Sequence, residues 1–195
     1  MTIDRKKYLN DKEVKVLRLV TENRAKIDIK AKRIGGVVAW MLVDLALSTG
    51  LRVSEIALIQ IEDIDLERGC ISVKRLKRKK KNCETLAISP ELVRHIKSYL
   101  NWQDRYKGPL FIGKRGPLTY QGLQRIWKKS VLIARLPKEL SIHSARHTIA
   151  VRLLKKTKNL RQVQKQLGHA SPSTTANMYA DISFEDMQKG VTNLY

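Results

Sequence analysis

The side chains in this sequence best suited to chemistry are cationic and phenolic: in chain order, Arg52, Lys77, His143, Arg146, His169 and Tyr179. A guanidinium stays protonated and offers a planar fork that meets a phosphate at two points, which a lysine ammonium cannot do. Two such groups aimed at the nonbridging oxygens would offset the negative charge by which a phosphodiester repels a nucleophile. Arg52 and Arg146 are assigned to this clamp. His143 and Arg146 stand three residues apart, which puts both on one face of a helix. Tyr179 is the candidate nucleophile. A phenol of pKa about 10 attacks poorly until a base or nearby positive charge helps remove its proton, and the arginines and His169 can provide that help. Taken singly, each residue has a plainer reading: a surface ion pair for an arginine, helix packing for a tyrosine, and a structural hydrogen bond for a histidine, as His95 and His147 are read.

The neighbourhoods of these residues decide between the readings. Arg52 lies in Ser48-Thr49-Gly50-Leu51-Arg52-Val53-Ser54-Glu55-Ile56, and His143 and Arg146 share His143-Ser144-Ala145-Arg146-His147. His169 closes Gln166-Leu167-Gly168-His169, and Tyr179 follows Ser173-Thr174-Thr175-Ala176-Asn177-Met178. In this order and spacing the motifs resemble the catalytic domain of the tyrosine recombinases, the phage-integrase family, from Tyr8-Leu9-Asn10 to the C-terminal segment.

The resemblance implies a mainly α domain with a small antiparallel β-sheet, the catalytic-domain fold of the DNA breaking-rejoining enzymes, over residues 1–195. It also implies that the N-terminal core-binding domain of most members is absent. The implied activity is that of a site-specific DNA recombinase or integrase of a mobile element. Tyr179 attacks the scissile phosphate and becomes 3′-phosphotyrosyl, and the 5′ hydroxyl of a partner strand reverses the step. His143 and His169 donate hydrogen bonds to the phosphate and manage the tyrosine proton. No metal, ATP or other cofactor is implied. The implied partner is double-stranded DNA, with four protomers on two duplexes. The segment after Tyr179, with Phe184, Met187, Val191 and Leu194, either docks on a neighbouring protomer or packs within its own chain.

In this family a lysine on a β-hairpin protonates the leaving 5′ oxygen. Here Lys74-Arg75-Leu76-Lys77-Arg78-Lys79-Lys80-Lys81 holds seven basic residues in eight. Counting forward from Gly69, and comparing the strand with short fimbrial inversion recombinases, points to Lys77; counting back from Ala87-Ile88 points to Lys79. Lys77 is taken as the general acid. Lys74, Arg75, Arg78, Lys79, Lys80 and Lys81 are taken as DNA-backbone contacts whose contribution falls steeply with salt. Two other readings stand beside this one: a type IB topoisomerase, which would relax supercoils without a recognition site, and a DNA-binding regulator that no longer cuts.

Composition agrees with a polyanionic partner. The chain of 195 residues carries 39 Lys and Arg against 18 Asp and Glu, a formal net charge of +21. Such a surplus favours nucleic acid and opposes self-association. The most apolar run, 37–47, is short and interrupted by Asp44, so it reads as a buried helix and not as a membrane span. The N-terminus lacks a signal peptide's apolar stretch, which predicts a cytoplasmic home. Cys70 and Cys83 have no metal-ligand spacing and read as free thiols, able to oxidise only if they face one another across a hairpin.

The elements that must position the site follow from periodicity and caps. Asn10 and Glu13 form a capping box for a helix to about residue 21. A helix over 35–49, apolar on all sides, ends at Gly50 in the left-handed region. Arg52 then emerges at a turn, and Ser54 caps a short helix over 55–60. From Arg68-Gly69 the period changes to a hairpin, with residues 71–73 pairing with 85–88 around the basic tract, and residues 110–112 add a third strand. Ser89-Pro90 starts a helix to about residue 104. Further helices follow over 119–134, 142–156, 160–167 and 172–180, with a last one from Ser183.

Overall fold

In the computed structural model, which describes residues 8–74, 83–113 and 115–168, helix α1 (Asp11–Lys30) starts at the expected cap. The Asn10 side chain accepts from the Glu13 amide at 2.8 Å, and the Glu13 carboxylate accepts from the Asn10 amide at 2.7 Å. The helix runs on well past the expected end near Thr21 because its second half also faces inward. Ala25 and Asp28 are buried, and Asp28 accepts hydrogen bonds from the Gly36 amide at 2.7 Å and from Arg33 at 3.0 Å.

Helix α2 (Ile34–Thr49) is the buried axis of the domain, covered on nearly every face. Helices α4 (Pro90–Gln103), α5 (Tyr120–Ile133) and α6 (Ile142–Thr157) pack around it together with α1. Its carboxylate, Asp44, is buried and therefore has to be paired: Arg18 approaches to 3.2 Å and His95 Nδ1 to 2.6 Å. His95 thus has the structural role read from the sequence. In the same core, the Trp127 indole donates to the Leu140 carbonyl at 3.0 Å. Tyr99 donates to the Leu110 carbonyl at 3.2 Å, and burial pushes its phenol up to about 12.

Gly50 ends α2 at φ +67, as expected. The position also has no room for a side chain: a Cβ here would stand 2.7 Å from Leu167 Cδ2 and 3.2 Å from Ile149 Cγ2. Leu167 is fully buried and has no space to swing away. Gly50→Ala combines left-handed strain with overpacking and should destabilise the domain by roughly 2–4 kcal/mol. Thermal denaturation monitored by circular dichroism checks this; an unchanged melting temperature would mean that the two segments are not packed this closely.

The short helix after Arg52 is α3 (Val53–Ile56), which starts earlier than the expected 55–60. Glu55, from inside the helix, binds the Arg52 amide at 2.8 Å, so Arg52 occupies the cap position expected for Ser54. Strands β1 (Ile64–Asp65), β2 (Cys70–Lys74) and β3 (Cys83–Ala87) form an antiparallel sheet in the order β1-β2-β3. The third strand is therefore β1, and not residues 110–112. The Leu110 amide instead donates to the Ile59 carbonyl at 2.9 Å, and β4 (Ile112–Gly113) pairs with β5 (Gly116–Pro117) in a separate ribbon. Cys70 lies opposite Ala87 and Cys83 opposite Lys74, so the two thiols do not face one another across the hairpin. Helix α7 (Leu160–Leu167) completes the described fold. No helix among the described residues is long and apolar enough to cross a membrane.

Candidate active site

Three of the six candidate catalytic residues, Arg52, His143 and Arg146, fall within the described structure, and the segments that carry them converge. The convergence is built around the Arg146 guanidinium. On the first turns of α6, Arg146 is only 7% exposed and donates from Nη1 to the Gly50 carbonyl at 2.9 Å and from Nη2 to the Leu167 carbonyl at 2.7 Å. Gly50 stands two residues before Arg52, and Leu167 two residues before His169. One fork therefore ties together the turn that presents Arg52, the helix that carries His143 and the end of α7, where the chain leads into His169. The Gly50–Leu167 packing closes the same junction from its apolar side.

Arg52 is held by a buried carboxylate. Its Nη1 lies 2.9 Å from Glu55 Oε1, while Glu55 Oε2 accepts from the Arg52 amide. The Glu55 side chain is 1% exposed and that of Arg52 21%. Glu55 thus fixes both ends of Arg52, whose side chain stays partly exposed. Glu55→Gln keeps the shape but removes the charge that anchors Nη1. On the expectation that Arg52 clamps a scissile phosphate, loosening it in this way should slow DNA cleavage by on the order of 10²-fold, with duplex affinity in gel shifts little changed; an equal loss in both would make Glu55 a folding residue only.

His143 is exposed on α6, three residues before Arg146, and so lies on the same side of the helix. Its neighbour Ser144 accepts from the Ser141 amide at 3.1 Å, and Thr148, one turn on, accepts from the Leu9 amide at 2.9 Å. These bonds set the start of α6 and fasten the entering chain to it. Among the described residues no cluster of three or more His, Cys, Asp or Glu side chains could hold a metal ion.

Lys74 is exposed at the end of β2. Arg75, Lys77, Arg78, Lys79, Lys80 and Lys81 lie outside the described residues, as do His169, Tyr179 and the helices expected over 172–180 and from Ser183. Glu55 was legible only as part of the motif around Arg52; its three-residue spacing from Arg52 is that of a capping box. The double tie made by Arg146 spans positions 96 and 21 residues apart and carries no local signal.

Residues 7–186 match the model of the Phage integrase family. The chain is 30% identical over 178 residues to tyrosine recombinase XerD of Staphylococcus saprophyticus subsp. saprophyticus, an alignment covering 88% of this chain and 57% of that relative. The chain thus spans just over half the length of that relative. The fold is similar to that of the XerA recombinase, with a TM-score of 0.76 and 25% identity over 95% of this chain and 62% of that one. It is also similar to the XerH site-specific recombinase bound to palindromic difH substrate in a post-cleavage complex, with a TM-score of 0.73 and 25% identity over 95% of this chain and 52% of that one.

Proposed function

The chain belongs to the phage integrase family, and from that premise we infer that it is a tyrosine-type site-specific DNA recombinase whose nucleophile is Tyr179. The observation that carries the reading is the single guanidinium of Arg146 bonded to both the Gly50 and Leu167 carbonyls. It ties the turn before Arg52, the helix that carries His143 and Arg146, and the end of α7 two residues before His169 to one another, and in this reading these segments meet around the scissile phosphate.

In the proposed step, the Tyr179 oxygen attacks the scissile phosphorus, the bond to the 5′ oxygen breaks, and a 3′-phosphotyrosyl diester forms. Arg52 and Arg146 stabilise the charge on the nonbridging oxygens. His169 takes up the phenolic proton, His143 donates to the phosphate, and Lys77 protonates the leaving 5′ oxygen. One phosphodiester replaces another, so no energy source is consumed, and attack by the 5′ hydroxyl of a partner strand restores DNA. Double-stranded DNA in the cytoplasm is the substrate, bound by four protomers on two sites. Lys74 and the basic tract after it hold the backbone.

The test is incubation with a nicked duplex whose short 5′ fragment diffuses away after cleavage. A protein-DNA adduct that survives denaturant is expected; intact duplex and tight binding without adduct would favour a non-cleaving DNA-binding protein, and relaxation of plasmids lacking any site would favour a topoisomerase.

The general acid can be separated from the neighbouring cations. Lys77→Ala should slow cleavage by on the order of 10²–10³-fold with little loss of affinity, and a bridging sulfur in place of the 5′ oxygen should restore the rate, because a thiolate leaves without a proton. The same pattern in Lys79→Ala, with Lys77→Ala near normal, would move the role to Lys79.

A further inference from the structure

The end of α2 away from Arg52 opens into a second concave feature that the cleavage reaction does not use. Helix α2 has 16 residues, about 24 Å at the helical rise, and a cavity of about 680 Å³ lies at its N-terminal end, between α1, α5 and the β4-β5 ribbon. Its walls are mainly apolar, among them Val38, Trp102 and Ile126. The mouth is cationic: Arg24, Lys32 and Lys129 line it, are exposed, and have no carboxylate partner among the described residues. The acid in the lining, Asp28, is already engaged through one oxygen by Arg33 and through the other by the Gly36 amide.

The apolar surface continues beyond the cavity on both sides. Val16 and Ile27, 39% and 61% exposed, share a stripe of α1 with Val20 of the cavity wall. On α5, Leu132 is 72% exposed, beside Lys129. A small molecule filling the cavity would leave these flanks in water. The chain's own residues 181–195 carry Asp181, Glu185 and Asp186 against Lys189, so their occupancy of the groove stands as an opposing outcome of the test. A partner segment with apolar anchors and carboxylates on either side satisfies both walls and rim.

We propose that this groove docks an acidic amphipathic helix of another protein, one apolar side chain entering the cavity and its carboxylates meeting Arg24, Lys32 and Lys129. The cavity lining includes none of Arg52, His143 and Arg146.

The probe is a fluorescein-labelled synthetic helix with Leu at helical spacing and Glu on the flanks, titrated with the full chain in about 150 mM salt and read by anisotropy. Arg24→Glu combined with Lys129→Glu should weaken binding more than about tenfold, as should Ile133→Asp in the lining, while adduct formation on the nicked duplex stays unchanged. Lys155→Glu with Lys156→Glu lowers the net charge equally at the far end of α6, and should leave peptide affinity within about twofold. Equal weakening by the two charge-reversed pairs, or equal binding of a peptide with Ser in place of every Leu, would reduce the interaction to diffuse charge and overturn the proposal. Displacement of the probe by a peptide of residues 181–195 at similar concentration would assign the groove to the chain's own tail and overturn it equally.

Discussion

Arg146→Lys will reduce DNA cleavage by on the order of 10³–10⁵-fold, the range typical of losing an arginine that stabilises a phosphoryl transition state. Lysine keeps the charge but not the planar fork. It cannot hold the Gly50 and Leu167 carbonyls together, now bonded at 2.9 and 2.7 Å, and meet a phosphate as well. A structural loss accompanies the catalytic one, because each buried carbonyl left without its donor costs roughly 1–3 kcal/mol. The melting temperature should therefore fall in Arg146→Ala and fall less in Arg146→Lys, while both lose cleavage. Single-turnover rates on a nicked duplex, measured well below the melting temperature, separate the two effects. A lysine variant that cleaves within about tenfold of the parent would mean that a point charge suffices and that the fork serves the fold alone.

Tyr179→Phe carries the other large effect. Removing one oxygen atom should abolish adduct formation, a loss on the order of 10⁴-fold or more, as expected when a nucleophile is deleted. Affinity for duplex should stay within about twofold, since binding derives from cations on the phosphate backbone. Mixed with Arg146→Ala, the phenylalanine variant also reports on assembly. If each protomer completes its own site, the mixture forms no adduct; if a protomer lends its tyrosine to a neighbour, activity returns in part.

The parts of this fold legible in the sequence are those written locally. The Asn10–Glu13 box starts α1 where the residues demand it, and Gly50 ends α2 in the left-handed conformation that glycine tolerates. What escaped was set by distant partners. Helix α1 continues past Thr21 because Asp28 bonds Gly36 of the next helix, and nothing in the polar run from Glu22 to Lys26 announces that. The run Leu110-Phe111-Ile112 has a strand's composition, yet the short pair Ile64–Asp65 takes the sheet edge because its register places Ile64 opposite Ile71. The site divides in the same way. The motifs around Arg52, His143 and Arg146 singled out segments that the fold brings together. The carboxylate beneath Arg52 and the two carbonyls gripped by Arg146 depend on packing between segments far apart in sequence.

Identification of the residue bonded to DNA probes the assignment most directly. The nicked duplex is incubated with the full chain, the adduct is digested with nuclease and protease, and the phosphonucleotide-bearing peptide is sequenced by mass spectrometry. The expected result is one modified residue, Tyr179, linked to a 3′ phosphate with a free 5′ hydroxyl released. Attachment through another residue, such as Tyr120 or Tyr195, or to a 5′ phosphate, would contradict it.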